Sequence, residues 1–255
     1  MTRSERNELP PRHGREVGGS GLRTSEGQGT RPFRSFYTRA LGNPPAVYGE
    51  RIRWREDEAW RPMEPSRTKL GAALAKGLRE PRLGPGTNVL YLGAATGTTA
   101  SHVADLVGPS GVVYAVEKSP RAFLKLLAMA RRWPNVAPVL RDARRPQDYL
   151  GLVPMVGAIY ADISQADQVE IVTANAELFL EDGGWLLFAV KLSSMGRELT
   201  GPARVEQVLA SLQPGFRVVE QVSLEPFHRK HLFLTARYGF RDGAPRSAPS
   251  PRTSR

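Results

Sequence analysis

The sequence predicts an α/β fold of the Rossmann-like kind. Its sheet has seven strands, mostly parallel with the last one reversed, and a small β-rich N-terminal subdomain precedes it. Three observations predict this. From Ser66 onward, short apolar runs alternate with helical patterns, and repeated β-α alternation implies a parallel sheet covered by helices on both faces. One run, Val89-Leu90-Tyr91-Leu92, passes straight into Gly93 and a loop that opens a helix at Thr98-Thr99, the form of a nucleotide-binding first turn. The last two runs are joined by a short link centred on Glu225-Pro226-Phe227-His228-Arg229-Lys230. A parallel crossover needs about a dozen residues or more, so these two strands are antiparallel.

Residues 1–31 have no hydrophobic period and are rich in Gly, Arg, Ser and Glu, which reads as a disordered arm. Residues 32–65 carry short aromatic and β-branched pieces, Phe33–Tyr37, Val47-Tyr48 and Arg51–Trp54, separated by glycines and by Asn43-Pro44-Pro45. This is the composition of a small β subdomain. The main domain spans 66–240. A first helix runs through Leu70, Ala73, Leu74 and Leu78; strand 89–92 and a helix over about 98–107 follow. Strand Val112–Val116 leads to a helix capped by Ser119 with Pro120 at its first position, where the missing amide hydrogen costs nothing. Strands Val136–Leu140 and Val156–Ile163, a helix over about 166–179 and strand Trp185–Val190 come next. A helix over about 202–212 and the strands Phe216–Val222 and His231–Tyr238 complete the domain. Residues 241–255, with proline, serine and four arginines, read as a disordered tail.

With 255 residues and 40% hydrophobic content the chain can bury a full core. No apolar run approaches the roughly 18 residues of a membrane span, and no signal-peptide core is present. The absence of cysteine excludes disulfides, thiolate metal sites and cysteine nucleophiles and is in keeping with an intracellular protein. The net charge is +11, and only six of the 36 basic residues are lysine. Arginine suits bidentate phosphate contacts, so an anionic partner is in view, although a codon bias toward arginine gives the same composition.

In an open α/β sheet, ligands bind beyond the carboxyl ends of the strands. The first loop lacks the dinucleotide pattern G-x-G-x-x-G, keeping only Gly93 and Gly97 with threonines after them. A ligand with adenosine but no pyrophosphate fits such a loop, which points to S-adenosylmethionine. Glu117 ends the second strand, 24 residues after Gly93, where a carboxylate accepts hydrogen bonds from ribose hydroxyls. At the end of the third strand Asp142 is placed to receive the adenine amino group, and the small Ala143 leaves room for the ring. Asp162 closes the fourth strand and Lys191 the fifth; His231 opens the last, and Lys69 lies in the helix before the sheet. Taken singly, each has an ordinary structural explanation, such as a lysine that snorkels from a strand end.

Together they resemble a family. The segments Tyr48-Gly49-Glu50-Arg51, Pro65-Ser66-Arg67-Thr68-Lys69-Leu70, Tyr91-Leu92-Gly93-Ala94-Ala95-Thr96-Gly97-Thr98-Thr99, Tyr114-Ala115-Val116-Glu117, Asp142-Ala143-Arg144 and Ala161-Asp162-Ile163-Ser164-Gln165-Ala166-Asp167-Gln168 stand in order between about Pro32 and Tyr238. They are similar to those of fibrillarin and the archaeal fibrillarin-like 2′-O-methyltransferases. The resemblance implies the class I methyltransferase fold and S-adenosylmethionine as cofactor. It implies a catalytic set of Lys69, Asp162, Lys191 and His231, with no metal. It also implies cofactor contacts from Gly93, Ala94, Thr98, Thr99, Glu117, Lys118, Asp142, Ala143, Asp162, Ile163, Ser164 and Gln165. Lys118 departs from the pattern, since the family commonly carries an aromatic residue there.

The reaction so implied is methyl transfer to a ribose 2′-hydroxyl, a poor nucleophile until a general base draws off its proton. Asp162 and Lys191 are expected to do this jointly, the carboxylate orienting the lysine, with Lys69 and His231 placing the ribose and its phosphate. The implied setting is a box C/D ribonucleoprotein with guide RNA, target rRNA or tRNA, a Nop-domain scaffold protein and a kink-turn-binding protein, and no membrane. Its location would be cytoplasmic in a prokaryotic cell and nucleolar in a eukaryotic one. A non-catalytic RNA-binding subunit would share the basic surface but needs no catalytic set. A nicotinamide-dependent oxidoreductase fails on the missing third glycine.

Overall fold

The computed structural model describes residues 22–24, 33–195 and 200–239. The expected tail at 241–255 and most of the expected arm at 1–31 lie outside them. The arm is interrupted, however. Leu22–Thr24 forms a strand, β1, paired antiparallel with β2 (Phe36–Arg39). Leu22 is fully buried in the core, so a single apolar side chain anchors a stretch whose composition gave no periodic signal. With β3 (Arg53–Arg55) and β4 (Glu58–Pro62) these strands make an antiparallel sheet of order β1-β2-β4-β3. The β3–β4 hairpin turns at Glu56-Asp57, both with positive φ, the mirror-image turn whose twist matches the strands. Lacking the usual Asn-Gly, it gave no sequence signal. The stretch Val47-Tyr48, expected as strand, is a loop instead. The Glu50 carboxylate accepts the amide hydrogens of both residues and takes the place of a strand partner.

The main sheet has β5 (Val89–Leu92), β6 (Val113–Glu117), β7 (Val136–Leu140), β8 (Val156–Ala161), β9 (Leu180–Lys191), β10 (Phe216–Ser223) and β11 (His231–Tyr238). Their order is β10-β11-β9-β8-β5-β6-β7. All neighbouring pairs from β9 to β7 are parallel, and β11 runs antiparallel to both β9 and β10. The reversed strand, last in the chain, is thus inserted beside β9 and does not form the sheet edge. That insertion brings the start of β11 to the carboxyl ends of the other strands.

Among the described residues five α-helices pack on this sheet: α1 (Lys69–Ala75), α2 (Thr98–Val107), α3 (Pro120–Ala130), α4 (Gln168–Phe179) and α5 (Gly201–Leu212). As expected, Ser119 caps α3, accepting from the amide of Ala122, with Pro120 in its first turn. Thr68 caps α1 through the amide of Gly71. Alternation along each strand sends neighbours to opposite faces. Val89 and Tyr91 join the apolar cluster under α1, α2 and α3, whereas Leu90 and Leu92 join the one under α4 and α5.

A buried polar network fastens the N-terminal sheet to α2. The Arg61 guanidinium has no exposed surface. It donates to Glu50, to Asp105 and to the Ser101 hydroxyl at 2.7–2.9 Å and lies 4.8 Å from the Trp133 ring centre. Asp105 also accepts from Thr38, Trp133 and the Leu41 amide. Burial pushes its pKa up, while Arg61 opposes that shift. His102, between the Thr38 and Tyr48 hydroxyls, is held far below its usual pKa by burial and by Arg61 and is therefore neutral.

Removing one member of such a cluster strands the others. Arg61→Ala leaves two buried carboxylates unpaired and is expected to cost about 3–5 kcal/mol in denaturant unfolding. Leu124→Ala, at a residue 68% exposed, should leave the midpoint unchanged. An Arg61→Ala protein as stable as the parent would show that the network does not fasten the two parts.

Candidate functional site

The carboxyl ends of β5, β6, β7 and β8 frame a cleft of about 180 Å³. The turn after β5 is built on Gly93, where φ is +79° and an added Cβ would lie 2.4 Å from the Asp162 carbonyl oxygen. Only glycine fits there, because a side chain would both strain the backbone and push Asp162 away. The amides of Gly93 and Ala94 both donate to the Val116 carbonyl, tying the turn to β6. Ala95 has φ +49°, which aims its amide at Glu117.

Glu117 is nearly buried, and each carboxylate oxygen accepts one backbone amide: Oε2 from Ala95 at 2.9 Å and Oε1 from Ser119 at 2.7 Å. A carboxylate has about four lone-pair sites, so the fixed group retains capacity to accept further hydrogen bonds. Of the expected cofactor residues, Gly93, Glu117, Lys118, Asp142, Ala143, Asp162, Ile163, Ser164 and Gln165 line this cleft. Ala94 is buried under the turn, and Thr98 and Thr99 lie in the first turn of α2; these three are not part of the lining. Ala95, Val116 and Arg141 line it as well, although sequence reasoning gave them no such role. Lys118 Nζ stands 3.7 Å from Asp142, which also accepts the amide of Arg144. The cleft therefore has a charged pair where an aromatic face was the family pattern.

Beside the cleft the four expected catalytic residues gather from four elements. Lys69, first residue of α1, places Nζ 2.7 Å from Oδ2 of Asp162, with both side chains about four-fifths buried (21% and 17% exposed). The carboxylate expected to orient Lys191 is thus bonded to Lys69 instead. Lys191 closes β9, and His231 is its direct cross-strand partner at the start of β11. Side chains at such positions stand about 5 Å apart at Cβ. The Nδ1 of His231 lies 2.8 Å from the Arg229 carbonyl, which can only accept. Nδ1 therefore carries the proton and Nε2 keeps a lone pair. Burial, with Lys69 and Lys191 adding to it, holds the ring below its ordinary pKa, so His231 is neutral near pH 7. His228 is lowered in the same way, by burial and Lys69, and its Nε2 donates to the Pro65 carbonyl. Beneath Asp162 the buried rings of Tyr91 and Tyr160 stack 4.5 Å apart, their hydroxyl pKa values raised chiefly by burial.

A larger cavity, about 380 Å³, lies between the N-terminal sheet and the β10–β11 link, near Phe33, Arg34 and Phe227. No parallel strand ends there, so the smaller cleft, at the carboxyl ends of the strands, is the candidate site. Among the described residues no helix is long and apolar enough to cross a membrane.

The family model described as fibrillarin matches residues 27–240. The fibrillarin-like rRNA/tRNA 2′-O-methyltransferase of Staphylothermus marinus is 43% identical over 196 residues, covering 75% of this chain and 82% of the relative. Aeropyrum pernix fibrillarin, solved with natively bound S-adenosyl-L-methionine, superposes with a TM-score of 0.77 at 39% identity, covering 85% of this chain and 94% of that one. A fibrillarin solved in complex with Nop5p gives 0.74 at 39% identity, covering 80% and 94%.

The turn supplies a direct test of the cleft's construction. Gly93→Ala should lose roughly 2–4 kcal/mol of stability from the left-handed backbone and the displaced Asp162. Gly151→Ala, with open space around its Cβ, should lose little. Equal melting temperatures for the two variants would contradict the packing described at Gly93.

Proposed function

The chain belongs to the fibrillarin family, and from that premise we propose that it transfers a methyl group from S-adenosylmethionine to a ribose 2′-hydroxyl of RNA. The observation that carries the reading is the convergence of Lys69, Asp162, Lys191 and His231 beside the Glu117 cleft at one sheet edge. A cleft suited to an adenosine-bearing ligand, with a proton-handling cluster at its rim, matches alkyl transfer to a hydroxyl.

The residues present fit the cofactor. The glycine turn admits close approach of a ligand, and Glu117 is a fixed acceptor for ribose hydroxyls. Asp142, Ala143 and Ile163 line the same cleft and would border an adenine ring held there. S-adenosylmethionine supplies an electrophilic methyl group on a sulfonium centre.

The protein's own contribution is to position the hydroxyl and take its proton. Lys69 fixes the Asp162 carboxylate, which faces the cleft and accepts the hydroxyl's hydrogen bond. Lys191, on the neighbouring strand, receives the proton as an uncharged amine in the reading we favour, since β8 and β9 are parallel neighbours whose ends open on the same space. A second reading gives the proton to His231, and one observation favours it: a neutral ring with Nε2 open.

The RNA substrate is rRNA, with tRNA as a second class, selected by a box C/D guide RNA. A Nop-domain scaffold and a kink-turn-binding protein are the assembly partners. The fibrillarin solved with Nop5p supports the scaffold, and the net charge of +11 suits an RNA surface. The protein would then act where that RNA is made, in the cytoplasm of an archaeal cell or the nucleolus of a eukaryotic one.

Lys191→Arg keeps the charge, but a guanidinium cannot give up a proton near neutral pH. In the assembled particle it should lose at least about a hundredfold in single-turnover rate, the usual worth of a positioned base. His231→Gln should retain more of the rate; a parent rate that stayed flat down to the lowered His231 pKa and fell only below it would point to the histidine as base instead. A near-normal Lys191→Arg rate with an inert His231→Gln would transfer the role to the histidine.

A further inference from the structure

Lys191 lies three residues beyond the point where β9 loses its partner. The last β8–β9 register pair is Ala161 with Phe188, and β8 ends there. Lys191 thus faces the vacated side with an amide and a carbonyl that no strand satisfies. Gln168, first residue of α4 and with no exposed surface, fills the gap. Its Oε1 accepts from the Lys191 amide at 3.0 Å, and its Nε2 donates to the Lys191 carbonyl at 3.1 Å. The side-chain amide stands in for a peptide group of the missing strand. On the opposite edge β11 holds Lys191 through its pairing with His231. Lys191 is therefore clamped from both sides, and its side chain leaves a backbone that cannot shift or twist freely. Gln168 does not line the cofactor cleft.

We propose that Gln168 is a positioning residue for methyl transfer, acting through the backbone of Lys191 to hold the lysine at the reacting hydroxyl. The proposal rests on the transfer reaction given above. A buried amide that satisfies two main-chain groups at a strand end fixes direction as well as place, and a misplacement of about 1 Å at a reacting group can cost a hundredfold in rate. The residue contributes both a donor and an acceptor, so its replacements separate hydrogen bonding from simple space filling. Gln168→Met keeps the volume and removes both bonds. Gln168→Glu keeps the acceptor, but when ionised it sets a charge against the Lys191 carbonyl. When protonated it regains a donor and mimics the amide. Burial raises the pKa of such a carboxyl. Titratable and charged groups on the adjoining elements are Asp162 with its partner Lys69, Asp167 with its partner Arg144, Glu170, Lys191 and, on β11, His231.

The test is single-turnover methyl transfer by the reconstituted particle with guide RNA, with rates taken relative to the parent at each pH between 6 and 8.5, beside calorimetric S-adenosylmethionine affinity. Both variants should bind cofactor within about twofold of the parent. Gln168→Met should be slowed roughly ten- to a hundredfold at every pH. Gln168→Glu should be equally slow at pH 8.5 and recover toward the parent as pH falls. A filler residue would show no such recovery. Gln168→Asn, which keeps the amide but withdraws it by one methylene, is the mildest change and should be slowed at unchanged cofactor affinity. Parent-like rates in all three variants, or a Gln168→Glu deficit that does not change with pH, would overturn the role of Gln168 while leaving the transfer reaction intact. A parent particle that transfers no methyl would overturn both.

Discussion

A guanidinium sealed from solvent holds the two parts of this molecule in register, and the site depends on it. Arg61 lies on β4 of the small N-terminal sheet, and its carboxylate partners come from a loop of that subdomain (Glu50) and from α2 of the main domain (Asp105). Only residues 63–68 separate β4 from α1, whose first residue is Lys69. Fixing β4 therefore fixes where Lys69 starts, and Lys69 meets Asp162 at 2.7 Å. An ion pair at the rim of a cleft would be weak if both side chains had to be ordered for it. Here the helix start and the strand end are already placed, so less freedom is lost in forming it.

The same placement sets the electrostatics. One carboxylate, Asp162, faces two lysines and two histidines that burial keeps neutral. A cluster with both histidines protonated would repel a cationic cofactor and load the rim with charge that a hydroxyl proton would have to join. Keeping the rings neutral leaves lone pairs for proton transfer and limits the local positive charge.

Much of this was legible in the sequence. The strands β5 to β11 and all five helices follow from apolar periodicity, cap residues and the Gly93 turn, because these are local signals that the tertiary structure reinforces. The four rim residues were legible as ends of elements, since topology sends those ends to one edge. What escaped detection depends on long-range pairing. Leu22 is one apolar residue in a polar arm, and its burial is invisible without its partner strand. The strand character of Glu58–Pro62 rests on a turn, Glu56-Asp57, that lacks the residues such turns favour. The bond of Asp162 to Lys69, where one to Lys191 was expected, needed the orientation of α1. The role of Gln168 needed the length by which β9 overruns β8. No residue pattern reports either.

The central claim is that this rim delivers a methyl group to a ribose oxygen under the direction of a guide. Its most direct measurement is methyl incorporation in a particle reconstituted with the scaffold protein, the kink-turn-binding protein and a guide RNA, using labelled S-adenosylmethionine and two targets. One target is all-ribose, and the other differs by a single 2′-deoxy substitution at the guided nucleotide. The account predicts label at that nucleotide in the first target and none in the second. Equal labelling of the two would place the methyl group on a base and contradict it.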